Sequence, residues 1–295
     1  MPVTLKPLNE QVIVITGASS GIGLATARSA AERGARVVLV ARSGETLDEI
    51  VRQIIVAGGQ AMSVTADVAD RLKLKAVAEA AVGRFGRIDT WVNDAAASIY
   101  GRLEEVSELD ARRLFDTNYW GVVNGSLVAL PFLRQAGGGA LINVGSEVSE
   151  AVVPLQGHYA ASKHAVKGFT DALRVELGLA DAPVSVTLIQ PTAVDTPFPQ
   201  NAKNYMDREP KLPTPMIDPQ QVADAILAAA EKPVRDVKVG AMAKVNTFVA
   251  DNAPRIADYV AGKQADRQQR DEAPLNPDGA LHTPSESGKT HGMGA

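Results

Sequence analysis

Tyr159 and Lys163 stand four residues apart in a stretch that reads as a helix, so their side chains share one flank of it. A free phenol has a pKa of about 10, too high for ready proton exchange near neutrality. A neighbouring ammonium favours the phenolate. The expectation is therefore a lowered Tyr159 pKa and a phenol able to act as general acid or base. Such a pair is incidental in most sequences. Ser146 makes it more than that here: it follows a run read as a strand, Leu141 to Val144, and precedes Tyr159 by thirteen residues. The C-terminal ends of strands are where open α/β sheets bind ligands. A hydroxyl at that point can hydrogen-bond a carbonyl oxygen and stabilise the alkoxide developing on it.

A second group suits phosphate. Thr16-Gly17-Ala18-Ser19-Ser20-Gly21-Ile22-Gly23 closes a β-branched run and opens a helical one. Glycine permits a tight turn and close approach of the backbone to a pyrophosphate, and a helix N-terminus presents free N–H groups. In this setting the segment reads as a dinucleotide-binding turn. The next apolar run ends at Ala41-Arg42, without the acid that would hold the ribose 2′-hydroxyl of NAD. Arg42 can instead pair with a 2′-phosphate, which favours NADP(H).

The elements that must carry these groups alternate strictly. Strands are predicted at 12–15, 37–40, 61–65, 88–93, 141–144, 184–190 and 237–239. Helices are predicted at 21–33, from Ser43 as N-cap towards Gly58, then at 70–84, 107–118, 119–134, 159–179 and 218–230. Alternation of this kind implies parallel pairing with helices on both faces: an α/β, Rossmann-like doubly wound sheet of about seven strands. Residues 1–240 form one domain, and 241–295 form a C-terminal extension. Within it, Ala243 to Gln269 can be helical despite Pro254. From Asp271 onward the Pro, Gly, Ser and Asp content predicts a flexible tail, with an arm packed on a neighbouring subunit as the alternative.

Composition narrows the function further. There are 30 Lys and Arg against 34 Asp and Glu, a formal charge of −4, which disfavours sequence-independent nucleic-acid binding. Cysteine is absent, which excludes disulfides and thiolate chemistry, and the four histidines form no spaced ligand set, so no metal is expected. No apolar run approaches the roughly 20 residues of a membrane span, and no secretory signal opens the chain. The expected setting is the cytoplasm.

Together these motifs resemble the short-chain dehydrogenase/reductase family across roughly residues 10 to 240. The family's Thr-Gly-x-x-x-Gly-x-Gly matches Thr16 to Gly23 at each fixed position, including Gly17, Gly21 and Gly23, with Ser19, Ser20 and Ile22 between. The resemblance implies that Asp67 and Val68 sit at the adenine and that Asn93, Ala95, Pro191, Val194 and Thr196 line the nicotinamide half. It implies a catalytic set of Asn118, Ser146, Tyr159 and Lys163. In that set Lys163 also holds the nicotinamide ribose and Asn118 holds a water that relays protons. Two positions depart from the family pattern: Asn93-Asp94-Ala95-Ala96 stands for Asn-Asn-Ala-Gly, and Pro191-Thr192 for Pro-Gly.

The activity implied is NADP(H)-dependent exchange of a hydride with a carbonyl or secondary alcohol, in the reductive direction. A 3-oxoacyl thioester, a steroid-like ketone and a small aldehyde are all open as substrates. The apolar stretch from Phe198 to Ile217 is the family's lid, and a homodimer or homotetramer is implied. Glu147, beside Ser146, either selects a polar or cationic substrate or points into solvent. The competing function is a nucleotide-sensing or regulatory binding protein that keeps the fold with weak catalysis.

Overall fold

The computed structural model describes residues 3–285 and 287–294. Its centre is a seven-stranded parallel sheet. In chain order the elements are β1 (Val12–Thr16), α1 (Gly21–Glu32), β2 (Arg36–Ala41), α2 (Gly44–Val56), β3 (Gln60–Thr65), α3 (Arg71–Phe85) and β4 (Thr90–Asn93). There follow β5 (Ile99–Tyr100), α4 (Glu108–Phe115), α5 (Gly121–Gln135), β6 (Gly139–Val144), α6 (Gly157–Leu179) and β7 (Val184–Pro191). The last are β8 (Lys203–Asn204), α7 (Pro219–Glu231), β9 (Asp236–Val239), α8 (Ala241–Asn252) and α9 (Pro254–Gln264). A π-helical turn, Asp116–Trp120, joins α4 to α5.

The strand order is β3-β2-β1-β4-β6-β7-β9, while β5 and β8 pair separately. The direction of winding reverses between β1 and β4, so a crevice opens above their C-terminal ends. Strands β1, β4, β6 and β7 are buried along their whole length, as central strands of a sheet covered by helices on both faces must be. One core layer sets Ile13, Ile15, Val37 and Leu39 against Leu24, Leu47, Ile50 and Ile226 of α1, α2 and α7. The opposite layer sets Val12, Val14, Trp91 and Leu141 against Leu74, Val77, Leu133 and Leu173 of α3, α5 and α6.

Asp70 caps α3 by accepting from the N–H groups of Leu72 (3.0 Å) and Lys73 (3.1 Å). Asp218 caps α7 by accepting from Gln220 (2.7 Å), with Pro219 in the first turn. Ser43 does not cap α2 with its side chain; its hydroxyl donates to Thr46 Oγ1 (2.8 Å) instead. The fourth large strand begins at Thr90 rather than Ile88. Before it, the buried Asp89 carboxylate accepts from the Val12 N–H (2.9 Å) and pairs with Lys6 and Arg87.

The largest departure is at the C-terminus. The helical stretch divides into α8 and α9 at Ala253-Pro254, where the chain leaves helical geometry. The segment read from its composition as a flexible tail runs along the domain instead. Leu281 is fully buried beside Ala97, Ile99 and Leu114. The Asn204 N–H donates to the Pro277 carbonyl (2.8 Å) and the Ala280 N–H to the Asn201 carbonyl (2.8 Å). Its own composition supplies little core; a slot already built by β5 and α4 receives the one leucine that anchors it.

Candidate active site

The turn after β1 lies flush against the chain after β4. Gly17 has φ +74°, and a Cβ there would stand 2.8 Å from Ala95 Cα; a Cβ on Gly23 would stand 2.5 Å from the Gly17 carbonyl oxygen. Only glycine fits either place. Thr16 Oγ1 accepts from the N–H groups of Asp94 (3.1 Å) and Ala95 (3.2 Å) and donates to the Val92 carbonyl (3.3 Å), which locks the two loops together.

Above the crevice lies a continuous cleft of about 490 Å³. One end is lined by Gly17, Ser19, Ser20, Gly21 and Ile22 on the β1–α1 turn, by Arg42 after β2, and by Asp67 and Val68 after β3. The other is lined by Ala95, Ser146, Tyr159, Lys163, Pro191, Val194 and Thr196. Gly23 and Asn93 are not on its wall. Asn93 is a strut between elements: its Oδ1 accepts from Trp91 Nε1 (2.8 Å), and its Nδ2 donates to Ser126 Oγ (3.1 Å) and Asn143 Oδ1 (2.8 Å).

The chemistry-bearing group comes from two elements. The end of β6 delivers Ser146, and the start of α6 delivers Tyr159 and Lys163. Lys163 Nζ donates to the Val144 carbonyl (2.8 Å) and lies 5.8 Å from the Tyr159 ring centroid. Ser146 Oγ accepts from the Val148 N–H (3.3 Å) and lies beside the Tyr159 phenol on the cleft wall. Phe198 meets Tyr159 edge-on with ring centroids 5.3 Å apart. Asn118 is fully buried in the π-helical turn. Its Oδ1 accepts from the Ala97 N–H (2.8 Å), and its Nδ2 donates to the Ala97 carbonyl and to Ser162 Oγ (both 3.0 Å). Both amide protons are thus committed, and the side chain ties the loop after β4 to α6.

The electrostatics correct one expectation. Burial pushes the Tyr159 phenol well above its ordinary value; Asp94 and Glu147 push the same way, and the hydrogen bond from Ser146 opposes them. The ammonium does not reverse this, because Lys163 is itself desolvated: burial lowers its pKa to about 8, against the attraction of Asp94. Asp94 in turn is raised to about 7 by burial, opposed by Lys163 and by a hydrogen bond from the Gly23 N–H. The departure at Asp94 therefore places a carboxyl group between the glycine turn and the lysine.

Sequence reasoning missed Asn246. Its Nδ2 donates to Glu147 Oε2 (2.9 Å), and burial raises the pKa of that carboxyl against the pull of Asn246 and Thr192. Glu147 thus faces the cleft rather than solvent. No local signal marks Asn246, since the packing of α8 alone brings it there. Met242, Val245, Val249, Ile256 and Val260 from α8 and α9 form an apolar wall beside it. His164 Nδ1 meets the Ala160 carbonyl (2.9 Å) within α6. Among the described residues no cluster of His, Asp and Glu could hold a metal ion.

At the far end of the cleft Arg42 is already engaged. Arg42 donates to the carbonyl oxygens of Ala280, Leu281 (3.0 Å) and Thr283 (3.0 Å) of the C-terminal segment. The neighbouring Asp67 accepts from the Ala69 N–H (3.0 Å) and pairs with Arg113 (2.6 Å), which against burial hold its carboxyl below the usual range.

The family model described as short chain dehydrogenase matches residues 11–207. An uncharacterized oxidoreductase of Bacillus subtilis, YxnA, is 46% identical over 275 residues, covering 92% of this chain and 77% of its own. Among solved structures, a short chain dehydrogenase/reductase from Burkholderia phymatum in complex with NAD superposes with a TM-score of 0.77 at 25% identity. That match covers 85% of this chain and 96% of the other. An alcohol dehydrogenase from Thermococcus sibiricus complexed with 5-hydroxy-NADP gives a TM-score of 0.68 at 28% identity, over 78% and 94% of the two chains.

Proposed function

The chain belongs to the short-chain dehydrogenase/reductase family, and from that premise we propose that it is a cytoplasmic NADP(H)-dependent reductase of aldehydes or ketones. One observation carries the reading. Ser146, Tyr159 and Lys163 stand on the wall of the same cleft as the glycine turn, so a dinucleotide lying on that turn ends among them. The cleft suits such a cofactor. Gly17 and Gly21 bring bare backbone to the cleft, α1 points its N-terminus inward, and Arg42 follows β2 where a 2′-phosphate would lie. Asp67 and Val68 would flank the adenine, and Ala95, Pro191, Val194 and Thr196 the nicotinamide.

When bound, the nicotinamide supplies the hydride. The protein supplies position and the proton. Ser146 donates to the substrate's carbonyl oxygen and stabilises the negative charge that grows there. Tyr159 gives that oxygen its proton. Lys163 holds the ribose hydroxyls and restores the Tyr159 proton. Asn118, whose amide is wholly committed to Ala97 and Ser162, fixes the geometry of α6 rather than holding a relay water. The apolar wall of α8 and α9 and the edge of Phe198 suit a moderately hydrophobic substrate.

The test is NADPH oxidation, compared with NADH, over a panel of aldehydes and ketones. Tyr159→Phe keeps the ring and removes the proton, so carbonyl reduction should fall by a factor of about 10² to 10⁴ while dinucleotide binding persists. Undiminished reduction by that variant would sink the mechanism. A merely nucleotide-sensing protein would turn over nothing on the panel before any substitution. A homodimer or homotetramer is part of the proposal, supported by Trp120, Val175 and Leu179, which are exposed on the α5 and α6 side.

A further inference from the structure

The C-terminal segment crosses the length of the cofactor cleft. At the adenosine end, the carbonyls of Ala280, Leu281 and Thr283 converge on the Arg42 guanidinium. Further on, the Lys289 carbonyl accepts from the Gly21 N–H (2.9 Å), the first free donor of α1. At the nicotinamide end, the Gly292 N–H donates to Asp195 Oδ1 (3.3 Å) beside Thr196. Ala280, Pro284 and Ser285 roof the cavity without filling it.

The segment is seated, not merely laid across. Leu281 has no exposed surface, and His282 Nε2 pairs with Asp110 Oδ1 (2.7 Å). Arg113 Nε donates to the Leu281 carbonyl (3.3 Å). Gly279 adopts φ +56°, and a Cβ there would lie 2.3 Å from the Ala202 carbonyl oxygen.

Carbonyl oxygens and phosphate oxygens compete for the same donors. A guanidinium that already serves three carbonyls cannot also grip a 2′-phosphate in the bidentate geometry that gives arginine its selectivity. A ribose with a free 2′-hydroxyl makes no such demand. We propose that residues 279–285 and 287–292 are the cofactor-specificity element of this enzyme: the seated strap withholds Arg42 from a 2′-phosphate, and NADP(H) gains its advantage over NAD(H) only as the strap gives way. This rests on the reading of Arg42 as the 2′-phosphate partner. The Gly21 contact affects both dinucleotides alike, so the signature lies in the ratio of affinities, not in either alone.

The test titrates the full-length chain with adenosine 2′,5′-bisphosphate and adenosine 5′-monophosphate, which probe the adenosine end without catalysis. Leu281→Asp and, separately, Gly279→Val unseat the strap by different means. In either, the preference for the bisphosphate should rise about tenfold, and adding Arg42→Ala should abolish the rise. Hydrogen exchange on the unaltered chain gives a readout independent of any variant's folding. Residues 280–285 should lose protection when the bisphosphate binds and keep it with the monophosphate. An unchanged or reduced preference in an unseated chain, or increased protection of 280–285 under the bisphosphate, overturns the strap and leaves Arg42 as reader. A preference that survives Arg42→Ala in the unseated chains overturns the Arg42 reading itself.

Discussion

Asp94 is where a single residue most changes the chemistry. It is the counter-charge of a desolvated lysine, and it holds the Lys163 pKa up at about 8. Asp94→Asn removes that support. The alkaline limb of kcat/KM that follows loss of the Lys163 proton should therefore move to lower pH, read from a pH profile of carbonyl reduction. The same carboxyl has a stability signature. Its folded pKa of about 7 lies above the ordinary carboxylate value, so the folded state keeps a proton that the unfolded chain releases. That contribution is full below the unfolded pKa and is lost as pH rises through about 7. Asp94→Asn should accordingly gain Tm relative to the parent as pH rises from 5 to 8, which thermal unfolding at the two values checks. The presence of Asp94 was legible in the sequence as a departure from the family pattern. Its protonation was not, because that depends on how completely water is excluded around it.

At the scale of elements, the turn between β1 and α1 and the buttress at Asn118 tie the loop after β4 to β1 and to α6 around the cleft. Gly17→Ala forces a left-handed backbone on a residue with a Cβ and drives that Cβ into Ala95. The cost should be roughly 1–3 kcal/mol from the backbone conformation, with more from the collision. Dinucleotide binding should weaken with it, as chemical denaturation and titration would show. Asn118→Ala leaves the Ala97 N–H and carbonyl without their side-chain partner in a buried place. About 1–3 kcal/mol of stability should be lost, and the Lys163 flank of α6 should loosen. The elements themselves were legible because each carries its own signals. β-Branched runs mark the buried strands, and Asp70 and Asp218 mark helix starts. The exceptions are instructive: Ser43 lost its cap to Thr46, and the start of β4 shifted because the Asp89 side chain took a contact from the neighbouring strand.

For the whole molecule, the exposed apolar side chains Val175 and Leu179 lie on a helix whose other side builds the site. Val175→Arg together with Leu179→Arg should lower the solution mass to that of one chain, as light scattering would read. A parent chain already at that mass would remove the assembly from the proposal. The strap shows the opposite relation between sequence and whole. Its composition argued for flexibility, yet Leu281, Gly279 and three carbonyls find partners built by residues far away in the chain.

By itself, the sequence determined the order of strands and helices, the glycine turn, and the set Ser146, Tyr159 and Lys163. Each of these follows from local periodicity or from spacing within a single strand-to-helix unit. The tertiary structure alone decided the burial around Tyr159, the partners of Glu147 and the occupation of Arg42. All three depend on burial and on groups from distant parts of the chain, such as Asn246 beside Glu147 and Leu281 beside Arg42. Solvent exclusion and long-range contact are properties of the packed whole, and no local stretch of residues encodes them.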